Sequence, residues 1–93
     1  MVEYSLDYDL VFQAMADDTR RDILRRILLG EQRLTDLARQ YSMSLAAVAK
    51  HLDILTTARL VSKEKRGRER ILTADTESIR KTMELLETFR YMD

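Results

Sequence analysis

The chain has no cysteine and no proline, one histidine and two glycines among its 93 residues. Without cysteine it can form no disulfide, no thiolate metal site and no thiol redox sensor. One histidine cannot build a poly-histidine metal site within one chain. No apolar run approaches the ~20 residues that a membrane helix needs. Met1-Val2-Glu3-Tyr4 offers neither the basic start nor the apolar core of a secretory signal. No repeat, low-complexity tract or linker interrupts the chain. His51 has no serine or cysteine nucleophile beside it in any recognised motif, so no catalytic constellation is present. These absences predict a single cytoplasmic domain over 1–93, with no cofactor, no metal and no enzymatic activity. A core this small would gain stability from a dimer interface.

Excess charge of one sign is also missing, since 16 Lys and Arg balance 16 Asp and Glu. That balance at first argues against nucleic acid, but the charge is segregated. Residues 1–18 carry five acids and no base, whereas residues 33–74 carry nine bases and four acids. The positive stretch coincides with a recognisable pattern. Leu34 to Tyr41 reads as a short helix with Thr35 as N-cap, its body Asp36 to Tyr41 and Leu37 and Ala38 inward. A turn leads to a second helix over 45–57, capped by Ser44. In it Val48, Leu52 and Leu55 form one apolar stripe. At about 100° per residue, Ala46, Ala49, Lys50, Asp53 and Thr57 fall on the opposite face. A helix held by one stripe and presenting small residues outward fits the major groove of DNA. The segment 60–73 then reads as a hairpin, with Lys63, Lys65, Arg66, Arg68 and Arg70 around Gly67. Gly67 can take the positive φ of a tight turn, and a basic loop beside a groove-sized helix suits the phosphate backbone. The bland alternative is that these charges are only a solvated face.

Three motifs carry a family resemblance. Ala14-Met15-Ala16-Asp17-Asp18-Thr19-Arg20-Arg21-Asp22-Ile23-Leu24 stands where the family has Ala-Leu-Ala-Asp-Pro-Thr-Arg-Arg-x-Ile-Leu. Ala47-Val48-Ala49-Lys50-His51-Leu52-Asp53-Ile54-Leu55 stands for Ala-Val-Ser-Lys-His-Leu-x-Val-Leu, and Ala58-Arg59-Leu60-Val61 for Ala-Gly-Leu-Val. With these in order the chain resembles the ArsR-type winged helix-turn-helix repressors. Segment 84–92 is similar to the end of their cysteine-free, autorepressor-like branch. The resemblance implies a mainly α fold with a small β-hairpin wing, a homodimer, and repression through double-stranded operator DNA. Metal-sensing relatives carry Cys-x-Cys-Asp-Leu where this chain has Arg33-Leu34-Thr35-Asp36-Leu37, and Asp-x-His where it has Asp75-Thr76-Glu77, so both metal sites are lost. Ser42 and Arg59 stand at family turn glycines, and a left-handed backbone at either costs roughly 1 kcal/mol.

The terminal segments read as helices over about 5–16 and 76–92. The first places Leu6, Leu10, Val11, Ala14 and Met15 on one side, and Asp17 caps the next helix. That helix, Thr19 to Leu29, turns Ile23, Leu24, Ile27 and Leu28 inward and stops at Gly30. Arg20 and Arg21 read as ion-pair or phosphate partners. Arg33 and Leu34 suit a short strand. Asp75 caps the last helix, whose Ile79, Met83 and Leu86, flanked by Leu85, Phe89 and Met92, make a band too wide for one seam. The resemblance assigns dimerisation to these helices, through Leu6, Leu10, Ile79, Met83, Leu86 and Phe89; packing into the protomer's own core is the alternative. For DNA the candidates are Ser44, Leu45, Ala46, Ala49, Lys50, His51, Asp53, Lys65, Arg66, Arg68 and Arg70. Leu45 or Ala46 can meet a thymine methyl, Lys50 a guanine or phosphate, and Asp53 a cytosine amino group or a cation of the protein itself. His51 suits either a structural role or a phosphate contact. Tyr4, Tyr8, Tyr41 and Tyr91 read as packing residues. No arginine, glutamine or asparagine faces outward from the recognition helix, so base readout is modest and DNA shape carries weight. The rival reading is a winged-helix protein-interaction module without sequence-specific DNA binding.

Overall fold

A computed structural model describes residues 6–91. Ser5 and Met92, drawn into the terminal helices from the sequence, and Tyr4, read as a packing residue, lie outside the described residues. The order is α1 (Tyr8–Met15), α2 (Asp18–Leu29), β1 (Gln32–Arg33), α3 (Leu34–Ala38), α4 (Leu45–Thr57), β2 (Val61–Arg66), β3 (Glu69–Ala74) and α5 (Thr76–Arg90). The strands form an antiparallel sheet in the order β1-β3-β2. This is the winged helix-turn-helix architecture.

Aspartate and serine caps set most helix starts. Asp7, Asp17 and Asp75 each accept first-turn amides of α1, α2 and α5, and Ser44 Oγ accepts from Ala47 N at 3.1 Å to open α4. α1 has no basic residue in its last turn. The next helix supplies it instead: Arg20 donates to the carbonyls of Ala14 at 2.8 Å and Gln13 at 3.0 Å, and Arg21 to that of Met15 at 2.6 Å. Both arginines therefore have a structural role, donating to carbonyls of the last turn of α1, of which that of Gln13 also accepts from the Ala16 amide.

Four expectations about the elements need correction. Thr35 is not an N-cap, because α3 begins a residue earlier, at Leu34, and its N-cap, Arg33, makes no side-chain cap bond. The sheet decides that boundary: Arg33 pairs with Ile71 and the chain passes from β1 straight into the helix. Leu34 is accordingly helical, and α3 gives way after Ala38 to tighter turns ending at Tyr41. Leu28 is 47% exposed: it lies one turn beyond buried Leu24, where the packing on that face has run out. Gly30 does end α2 as expected, though with φ 165°, an extended backbone open to any residue, so its left-handed freedom is unused.

The core joins Val11 and Ala14 of α1, Ile23, Leu24 and Ile27 of α2, Leu37 of α3, the Val48-Leu52-Leu55 stripe of α4, and Leu60, Val61 and Leu72 at the sheet. Removing a fully buried leucine such as Leu52 costs ~2–5 kcal/mol in comparable cores. α5 contributes little to this core. Of its residues only Ser78 is buried, with Ile79 packed against the core's edge. Its polar side is laced by Arg80 to Glu77 and Glu84 and by Arg90 to Glu87.

Candidate nucleic-acid interface

The stripe of Val48, Leu52 and Leu55 is fully buried, which fixes the rotation of α4 about its axis. Leu45, Ala46 and Lys50 are consequently exposed, while Ala49 is half-buried. Ser44 spends its hydroxyl on the helix cap. Asp53 is exposed and lies 3.5 Å from Lys63 Nζ, so the cation it meets is one of the protein's own wing. His51 is half-buried at the junction of α4 with the start of α2, with Nδ1 3.8 Å from Asp17 and 3.5 Å from the Arg20 guanidinium. The Asp17 carboxyl is held below its usual range, chiefly by the amide of Arg20, with the Arg20 and His51 charges helping. That setting is the structural-histidine reading.

The wing turns at Gly67, whose φ is +61°, while Arg68 keeps a negative φ; positive φ at the first loop position alone is the II′ hairpin pattern. Register then sorts the charges, because residues directly opposite share a face. Val61, Lys63 and Lys65 face the same way as Ala74, Leu72 and Arg70. This is the face that reaches α4, through Lys63 and Asp53. Ser62, Glu64 and Arg66 share the other face with Thr73, Ile71 and Glu69. There Arg66 is gripped by Glu31 at 3.0 Å and Glu64 at 3.3 Å, and Arg33 by Glu69 at 3.2 Å. Lys65, Arg68 and Arg70 have no ion-pair partner among the described residues, and neither does Lys50. Lys65 and Arg70 are directly opposite one another, a like-charge pair that disfavours the free hairpin and favours an anion beside it.

Register thus sets Lys65 and Arg70 on the wing face that meets Asp53 of α4 through Lys63, with Arg68 in the turn, and Leu45, Ala46 and Lys50 are exposed on α4, while Arg66 is neutralised on the other face and His51 is half-buried. Sequence reasoning missed this division of the wing. The period-two alternation of residues 61–66 against 69–74 carried the signal. A further polar cluster also went unread: Tyr41 donates to Asp22 at 2.6 Å, and Arg26 both pairs with Asp22 at 2.9 Å and stacks 5.1 Å from the Tyr41 ring centre. Tyr41 is thus a packing residue, whereas Tyr91 is exposed. Among the described residues no group of three or more acidic or histidine side chains is placed to hold a metal. No helix among them is long and apolar enough to cross a membrane.

The fold, with exposed Ala46 and Lys50 on α4 beside a one-sided basic wing, is that of a winged helix-turn-helix domain of the DNA-binding class. Residues 17–63 match the bacterial regulatory protein, arsR family, and the chain belongs to that family. It is 42% identical over 67 residues to the HTH-type transcriptional regulator Rv2034 of Mycobacterium tuberculosis, a match covering 72% of this chain and 63% of that protein. It is 35% identical over 57 residues to the transcriptional repressor SdpR of Bacillus subtilis, covering 61% and 63% of the two. The chain thus spans less than two thirds of the length of these relatives. In structure it is similar to the ArsR family transcriptional regulator RHA00566, with a TM-score of 0.83, 29% identity and coverage of 97% and 93%.

Proposed function

We propose that the chain is a cytoplasmic, homodimeric transcriptional repressor of one winged helix-turn-helix domain, without enzymatic activity. Helix α4, residues 45–57, enters the major groove of operator DNA, and wing 60–73 lies over the flanking backbone. The observation that carries this reading is the sorting of charge. The wing's cations on the face away from α4 are satisfied by carboxylates, while Lys65, Arg68 and Arg70, with Lys50 on the helix, have no ion-pair partner among the described residues. Unpaired cations on a surface of that size suit phosphates. Repression is the direction supported by the likeness to a named repressor.

The dimer is supported by α5. A 15-residue helix is marginal alone in water, yet Met83, Leu86 and Phe89 are 63%, 51% and 61% exposed. The alternative that this band fills the protomer's own core does not suit those exposures. Leu10 and Ile79 are half-buried at the core's edge, and Leu6 is already buried within the protomer. Met83, Leu86 and Phe89 are therefore the residues with surface left to give a second copy.

Selection of bound sequences from random duplex DNA tests the function. Recovery of a two-fold symmetric sequence is the expected result. Binding that stays equal for all sequences at every salt concentration would favour the protein-interaction module.

A further inference from the structure

Strand β1 covers the outer edge of β3 only at Leu72 and Ile71, so the edge at Glu69 and Arg70 is open. The start of α3 faces that opening. Between them lies a recess of about 360 Å³ lined by Arg33, Leu34, Thr35, Arg68, Glu69 and Arg70. Three arginines and a threonine thus line one recess, with a single acidic residue among them. That residue, Glu69, is bound to Arg33 at 3.2 Å, while Arg68 and Arg70 have no ion-pair partner among the described residues. The recess has a surplus of two positive charges and planar, fork-shaped donors suited to the oxygens of a phosphoryl group.

We propose that this recess seats one phosphodiester of the DNA backbone, and that Arg33 exchanges Glu69 for the phosphate when DNA arrives. The inference rests on the DNA-binding reading above and adds to it a contact outside both α4 and the hairpin. Arg33 and Thr35 then position the first helix of the helix-turn-helix pair on the backbone, and Glu69 acts as a stand-in for the phosphate in the free protein. A carboxylate that must be displaced weakens binding, so the seat predicts opposite effects from the two members of one ion pair.

The experiment is a salt titration of affinity for random-sequence duplex DNA with wild type, Arg33→Gln, Glu69→Gln and Arg68→Ala. Arg90→Gln serves as a charge-matched control distant in sequence, on α5, and thermal melting verifies that each variant folds. Arg33→Gln is expected to weaken binding and to reduce the magnitude of the log–log salt slope by about 0.9, the loss of one neutralised phosphate. Glu69→Gln is expected to bind more tightly than wild type, and Arg90→Gln to leave the slope unchanged. If Arg33→Gln keeps the wild-type slope while Arg68→Ala lowers it, the seat is overturned and DNA binding by the wing stands. If neither variant changes the slope, the wing's role is lost with it. Weaker binding by a folded Glu69→Gln overturns the exchange. Inorganic phosphate, titrated at constant ionic strength without DNA, separates a backbone seat from a soluble-anion site. Saturable binding that Arg33→Gln abolishes would assign the recess to the free anion instead.

Discussion

Arg59 occupies the left-handed region, with φ 64°, and is the only non-glycine to do so among the described residues. Its amide donates to Thr56 O and the Leu60 amide to Leu55 O, both at 3.0 Å. With Ala58 as C-cap this is the Schellman pattern, in which the residue at Arg59's position is normally glycine. The motif puts Leu60 against Leu55 in the core and aims the chain into the wing, so the strain is tolerated because the packing over-determines it. Ser42, the other substituted glycine, has no positive φ and carries no such strain. Arg59→Gly and Arg59→Ala both delete the guanidinium and its contacts, so their difference isolates the backbone. The glycine variant should be more stable than the alanine variant by about 1 kcal/mol in denaturant unfolding, with the same m-value. Tyr41 makes a second residue-scale prediction. Burial, and then its hydrogen bond to the Asp22 carboxylate, pushes the phenol up to about 12 from 10.0. The native state therefore holds a proton that the unfolded chain has lost. The resulting stability is fully present below pH about 10 and is lost as pH rises through about 12. Tyr41→Phe should flatten the fall in stability across that window relative to wild type, measured by unfolding at a series of alkaline pH values; equal alkaline slopes would remove the phenol from the account.

At the scale of elements, the proposed function divides the work of binding between α4 and the wing. Lys50 projects from a helix whose rotation is locked by three buried side chains, so it can reach a base edge in a set position. Arg68 sits in the two-residue turn between β2 and β3, where on the proposed function it meets phosphates, which carry no sequence. Once an operator is known, Lys50→Ala should cost ~1–3 kcal/mol on it and much less on random DNA. Arg68→Ala should weaken both alike and flatten the salt dependence by about one phosphate. Equal losses from Lys50→Ala on both DNAs would reduce the recognition helix to a phosphate anchor. Arg66, by contrast, is tied to Glu31 and Glu64, and both partners raise the affinity of its guanidinium for its proton. Arg66→Ala should therefore change DNA affinity less than Arg68→Ala in the same titration.

For the whole molecule the question is what α5 packs against. Leu86→Asp or Phe89→Asp puts a charge on a band exposed in the protomer and so should spare the fold, but burying that charge against a second copy is costly. Sedimentation should show monomer for either variant, with thermal melting still cooperative and DNA affinity reduced. A wild-type dimer in both variants would place the contact elsewhere. Leu6→Asp, by comparison, should lower stability before it changes assembly, since Leu6 belongs to the protomer's own core. The neutral total charge becomes intelligible at this scale too. Asp7 and Asp9 lie at the start of α1 and Asp17 and Asp18 at the start of α2, whereas the cations without an ion-pair partner among the described residues include Lys50 on α4 and Lys65, Arg68 and Arg70 on the wing, so a neutral sum conceals separate acidic and basic elements.

Several features were determined by the sequence alone because their physics is local. Asp17, Ser44 and Asp75 reach amides three residues on, Gly67 turns a two-residue hairpin, and the spacing of Val48, Leu52 and Leu55 orients α4. Each interaction spans a few residues, so composition and spacing suffice to read it. The rest depended on partners far away in the chain. Arg66 meets Glu31 across 35 positions and Tyr41 meets Asp22 across 19, and neither could be paired before strands and helices were placed. β3 decided where α3 begins, overriding the hydroxyl of Thr35, because a sheet register is satisfied by backbone groups that the sequence does not distinguish. Tertiary structure alone also decided which cations are neutralised within the protein and which, among the described residues, have no ion-pair partner. Charge is written in the sequence, but neutralisation depends on distances of 3–4 Å, which only the folded chain brings about.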